Sequence, residues 1–169
     1  MRDGSFFEAI QEIEDRYPDR RSALIPALYL LQEQEGYISP EGMQALANHF
    51  GLSAMAVYEV ATFYTMLRLK PVGRHHIQVC TNISCSLLGG QHAAQYIAKK
   101  LGITVGGDTP DGAFSLSTVE CLGSCGTAPM MQVNDVYYEN LTRAKIDTIL
   151  DELKDKKASY TKRPGPDGF

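Results

Sequence analysis

The sequence predicts an α+β chain with an α/β second half: an N-terminal helical bundle, then a four-stranded mixed sheet with flanking helices. Two observations carry this. Over residues 5–70 apolar side chains recur at helical spacing between proline and glycine stops. Over residues 74–153 short alternating runs appear instead, in the order strand, helix, strand, strand, strand, helix. A length of 169 residues suits one compact domain with an appendage, large enough to build a core without disulfides. The boundaries read from the chain are 1–72 for the bundle, 73–155 for the sheet domain and 156–169 for a disordered tail.

Each element has a local reason. Ser5 and Glu8 make a capping box, and Phe6, Ile10, Ile13 and Tyr17 follow on one helical face until Pro18. A second helix covers Ser22 to Gln34, with Leu24, Leu28 and Leu31 as a stripe and Pro26 tolerated near its first turn. Ser39-Pro40 opens a third helix that Gly51 closes, and Ser53 caps a fourth to about Leu67. His76 to Val79 alternates as a strand. A helix follows Gly89-Gly90, with Ala94, Ile97, Ala98 and Leu101 on one face. Phe114 to Val119 is a second strand, and Met130 to Val133 with Val136 to Tyr138 forms a hairpin around Asn134-Asp135. Thr142 caps a last helix through Ile146, Ile149, Leu150 and Leu153. From Lys156 the chain, with Lys157, Lys162 and Arg163, shows no periodicity.

Charge and hydropathy exclude several functions. A formal net charge of −4 argues against binding nucleic acid or an anionic membrane, which needs a basic excess. The longest apolar run, Ala23 to Leu31, includes Pro26 and is less than half of the roughly 20 residues a membrane span requires. Acidic residues stand where a signal peptide needs a basic head. The expectation is a soluble cytoplasmic protein with reduced thiols.

Four cysteines then need a reason. They form two close pairs, Cys80 with Cys85 (CTNISC) and Cys121 with Cys125 (CLGSC). Cys80 ends the first strand and Cys121 ends the second. A right-handed crossover through the intervening helix makes those strands parallel, so both pairs reach one edge of the sheet. Three occupants suit four such thiols. Structural zinc uses pairs spaced by about two to four residues, which these gaps permit. A thiol–disulfide enzyme prefers Cys-x-x-Cys at a helix start and leaves two cysteines over. A [2Fe–2S] cluster takes two thiolates per iron, and wider pairs suit loops that wrap it. The neighbours favour the cluster: Gly89-Gly90 before a helix, Gly123 and Gly126 for close amide approach, and Ser84, Ser86, Ser124 and Thr127 as donors to a negatively charged centre.

CTNISCSLLGG and VECLGSCGTAPMMQVND, with the upstream VYEVATFYTM, resemble the thioredoxin-like [2Fe–2S] subunit of the NADH-oxidising module of respiratory complex I, an NADH-quinone oxidoreductase. The resemblance covers roughly residues 5–155. It implies a thioredoxin-like sheet, with Cys80 and Cys85 on one iron and Cys121 and Cys125 on the other. It implies a flavoprotein partner carrying FMN and NADH, allows a further iron–sulfur subunit, and puts the chain on the cytoplasmic face of the inner membrane without insertion. The matching subunits of NAD-linked hydrogenases and formate dehydrogenases are the alternatives within the class; a zinc-stabilised interaction module is the alternative outside it.

The remaining features weigh less. ALANHFGLSAMAVYEVATFY has the outline of a helix-turn-helix, but Ala54 to Met66 holds no Arg, Lys, Asn or Gln to read bases. Val57, Val60, Ala61 and Tyr64 read as a packing face. His75 and His76 lie at the far end of the first strand, on opposite faces. His49 and His92 read as ordinary histidines. No phosphate loop and no catalytic triad is found, so the catalytic residues are none and the substrate chemistry belongs to another chain.

Overall fold

The computed structural model describes residues 4–156, in two compact units, 4–71 and 72–156. The tail read from residue 156 onward falls, from 157, outside the described residues.

The first unit is helical. Helix α1 (Gly4–Glu14) buries Phe6, Ile10 and Glu14. It begins before Ser5, so Ser5 lies within the helix rather than at its cap, and Tyr17 is exposed beyond its end. Asp19 caps a short 3-10 turn (Arg20–Ala23), which runs into α2 (Leu24–Glu35). Leu24, Leu28 and Leu31 are buried as a stripe. Ser39 accepts the Gly42 amide at 3.0 Å to start α3 (Pro40–Phe50). Ser53 accepts the Ala56 amide at 3.1 Å to start α4 (Ala54–Phe63). Helix α4 stops four residues short of Leu67 because Tyr64 turns extended. Val57 and Ala61 are buried in the core of this unit, with Val60 and Tyr64 packed against it.

The second unit is a mixed sheet. Strand β1 (His75–Cys80) leads to α5 (Ile83–Leu87) and α6 (Gly90–Leu101), then β2 (Phe114–Val119), the hairpin β3 (Met131–Val133) and β4 (Val136–Tyr138), and α7 (Arg143–Lys154). The sheet order is β2-β1-β3-β4. Strands β1 and β2 are parallel, as a helical crossover requires; the other two pairings are antiparallel. Inward residues of the strands, such as Ile77, Leu116 and Met131, pack with Ile97 of α6 and Ile146 of α7. That packing holds β1 and β2 side by side up to their carboxyl ends. Among the described residues no helix is long and apolar enough to cross a membrane.

Candidate metal centre

Cys80 pairs in register with Val119, so β1 and β2 end at the same edge. Beyond it the chain turns in two ways. After β1, the Asn82 side chain accepts the Ile83 amide at 2.8 Å and starts α5, which carries Cys85 inward. Cys85 therefore stands on a short helix and not in the loop expected from the sequence; Asn82, a good cap residue, is the local signal for that helix. After β2, Cys121 follows within two residues, and Cys125 opens a 3-10 turn (Cys125–Thr127) with no buried residue. Cys80 and Cys85 are buried against Met130, whereas Cys121 and Cys125 are exposed, and all four are free thiols.

The thiols are linked pairwise. Burial pushes Cys80 up, but backbone hydrogen bonds from Asn82 and Leu122 and contacts with the Cys85 and Cys121 thiols outweigh it and hold Cys80 below the ordinary thiol value. Cys85 is pushed up by burial and then by Cys80, with a Met130 backbone hydrogen bond opposing. The charge of Cys125 reaches Cys85 as well, so both pairs are in electrostatic contact. Gly123, in the left-handed conformation at φ 76°, turns its amide back onto Cys121 Sγ at 3.4 Å. Amides aimed at sulfur are what a thiolate-bound centre needs. Among the described residues no three His, Cys, Asp or Glu side chains gather as the ligand set of one ion. Four soft thiols at one sheet edge, three of them served by backbone amides, suit a sulfur-rich iron centre.

Several neighbours act differently from expectation. Gly90 is a close-approach site: a Cβ there would stand 2.6 Å from the Cys80 carbonyl oxygen and 2.9 Å from that of Cys85. The Gly89 amide is spent on the Ser86 carbonyl. Gly126 has open space around it, so no close approach requires it. Ser124 and Thr127 donate their hydroxyls to the carboxylate of Glu139, and those hydroxyls in turn hold Glu139 below the usual carboxylate range. Sequence reasoning misses Glu139 and Tyr137, whose hydroxyl donates to the Leu122 carbonyl, and it reads Gly90 only as the opening of a helix. His75 and His76 stand at the start of β1, the end away from Cys80, bonded to the Lys156 carbonyl and to Ser117. His49 binds Glu14 in the first unit, and His92 lies exposed on α6.

The model of the thioredoxin-like [2Fe–2S] ferredoxin family matches residues 10–154. The chain belongs to that family. Among its relatives, an NADH-quinone oxidoreductase subunit of Rhizobium meliloti (strain 1021) is 46% identical over 147 residues, spanning 87% of this chain and 88% of the relative. NADH-quinone oxidoreductase subunit 2 of Thermus thermophilus is 41% identical over 163 residues, spanning 94% and 90%. Among solved structures, an NAD+-reducing [NiFe]-hydrogenase in the H2-reduced state superposes with a TM-score of 0.69 at 20% identity. That match covers 79% of this chain and 22% of the hydrogenase chain, and it supports the family fold.

Proposed function

We propose that this family member is the electron-transfer subunit of an NADH-quinone oxidoreductase, holding one [2Fe–2S] cluster through Cys80, Cys85, Cys121 and Cys125. The observation that carries the reading is the parallel β1–β2 pair, which delivers both cysteine pairs to one sheet edge. The two relatives above, at 46% and 41% identity over most of both chains, support the NADH-quinone context. The likeness to the hydrogenase speaks for the fold alone, so the hydrogenase and formate dehydrogenase readings gain nothing from it.

When bound, the cluster supplies a one-electron carrier. The chain contributes its placement. The Cys80 side is buried, with amides of Asn82 and Leu122 directed at sulfur. The Cys121 and Cys125 side is exposed, giving a redox partner access. That partner is an FMN- and NADH-binding flavoprotein subunit, beside which a further iron–sulfur subunit fits, and the assembly holds the chain at the cytoplasmic face of the inner membrane. The subunit is part of an oxidoreductase without turning over NADH alone.

Anaerobic purification followed by iron and acid-labile sulfide analysis tests this. The expected result is a brown protein with two irons and two sulfides, roughly, per chain, bleaching on reduction. Cys121→Ala should lose the cluster. A colourless zinc-loaded chain, or a C121A variant with full iron and sulfide content, would overturn the reading.

A further inference from the structure

We propose that Glu139 is a positioning residue that fixes the Cys125 turn and keeps the Ser124 and Thr127 hydroxyls away from the cluster; this rests on the [2Fe–2S] reading above. No residue of the 3-10 turn Cys125–Thr127 is buried, so apolar packing cannot set where the Cys125 thiol stands. Its flanks are tied to one carboxylate instead. Ser124 Oγ and Thr127 Oγ1 both donate to Glu139 Oε1, the latter at 2.6 Å, and the two hydroxyl oxygens lie 2.7 Å apart. Hydrogen bonds to an ionised acceptor are about twice as strong as neutral ones.

The same short stretch makes two further ties. Asn140 donates its amide to the Thr127 carbonyl at 2.7 Å. Tyr137 donates its hydroxyl to the Leu122 carbonyl at 2.8 Å. Lys145 of α7 donates to the Glu139 carbonyl at 2.5 Å and anchors that residue from outside the loop. Residues 137–140 therefore hold the 122–127 loop at both ends, and Glu139 makes the charged contact.

Each hydroxyl has one proton to give. Committed to Glu139, it cannot be given to a thiolate or a sulfide. Removing the carboxylate deletes a negative charge and releases both hydroxyl protons, for which the remaining acceptors are the neighbouring hydroxyl at 2.7 Å, the Ser124 carbonyl at 3.1 Å and sulfur. Both changes favour the reduced, more negative cluster, so the midpoint potential moves in the positive direction.

The test uses the full 169-residue chain, metal-free and after anaerobic reconstitution with iron and sulfide. Glu139→Gln keeps an acceptor oxygen without the charge; Glu139→Ala removes both. Reductive titration followed by EPR should show a more positive midpoint potential in both variants. In the metal-free chain, hydrogen exchange across 122–128 should quicken about tenfold or more in Glu139→Ala, where both hydrogen bonds are lost. It should return most of the way to the native rate in Glu139→Gln. In a Ser124→Ala/Thr127→Ala background the Glu139→Ala potential shift should shrink to that of Glu139→Gln, the part owed to the lost charge alone. Native potential and native exchange in both Glu139 variants would overturn the proposal. If E139A does not fold, E139Q decides through its potential: a native midpoint there would overturn the proposal. A native chain that takes up no iron or sulfide would overturn the cluster reading instead, and exchange in the metal-free chain would then decide the role of Glu139.

Discussion

Gly90→Ala adds one methyl group where the two arms of the first cysteine pair meet. The new Cβ would stand 2.6 Å from the Cys80 carbonyl oxygen, 2.9 Å from the Cys85 carbonyl oxygen and 3.1 Å from the Cys85 carbonyl carbon. Ordinary van der Waals contact begins at 3.4 Å, so the nearest atom must retreat by 3.4 − 2.6 = 0.8 Å. None of these atoms can rotate away, because all three are backbone. Cys80 closes β1 and is tied to the residue just before β3 through its amide on the Met130 carbonyl; Cys85 is buried in α5. Overpacking of this kind costs about 1–3 kcal/mol. Alanine recovers at most about 1 kcal/mol of helix propensity at the start of α6. The net loss should be about 1–2 kcal/mol in the metal-free chain. Urea unfolding followed by circular dichroism, with hydrogen exchange of the β1 amides to locate the loss, measures it. Gly126→Ala is the control: its Cβ meets nothing within 4 Å and its φ is not left-handed, so stability should stay within about 0.5 kcal/mol of native. If G90A proves as stable as G126A and its β1 amides exchange at native rates, the close-approach argument is wrong.

Two further perturbations probe packing away from the cysteines. The Lys100 ammonium, then the Tyr96 hydroxyl, hold the Asp147 carboxyl below its usual range. Its contribution is therefore fully present above the unfolded carboxylate pKa and is lost as pH falls through the lower folded value. Asp147→Asn should lower stability at neutral pH, with the difference from native closing in acid; a difference constant with pH would refute this. The same variant should release Tyr96, raised chiefly by its bond to Asp147, to ionise at lower pH, which an alkaline ultraviolet titration reads. In the first unit, Glu14 is buried and takes two bonds at 3.1 Å from Arg20 and one at 2.9 Å from His49. Arg20→Ala leaves that carboxylate with His49 and should cost about 1.5–3 kcal/mol in urea unfolding; a cost under about 0.5 kcal/mol would show that water already serves Glu14.

What the sequence makes legible here is what depends on near neighbours along the chain. Ser39, Ser53 and Thr142 cap helices because the bond they make reaches only three residues. Strand β2 and strand β4 have the expected boundaries because alternation and turn residues are local. The convergence of two cysteine pairs can be argued as well, since one crossover rule converts strand order into a shared edge. Roles that depend on chain crossing chain stay hidden. Gly90 reads in sequence as a helix opener, and only the fold puts the Cys80 carbonyl against it. Ser124 and Thr127 read as donors to sulfur, yet Glu139, 12 residues beyond Thr127, takes both hydroxyls once the β3–β4 hairpin brings it back to the loop. Residues on the cysteine loops therefore reveal which chemistry the edge can hold. The 122–127 loop that carries Cys125 is tied down by the returning hairpin and the residues just after it, where no cysteine marks them. A search for the determinants of potential among members of this family should begin on β4 and the three residues after it, before the motif itself.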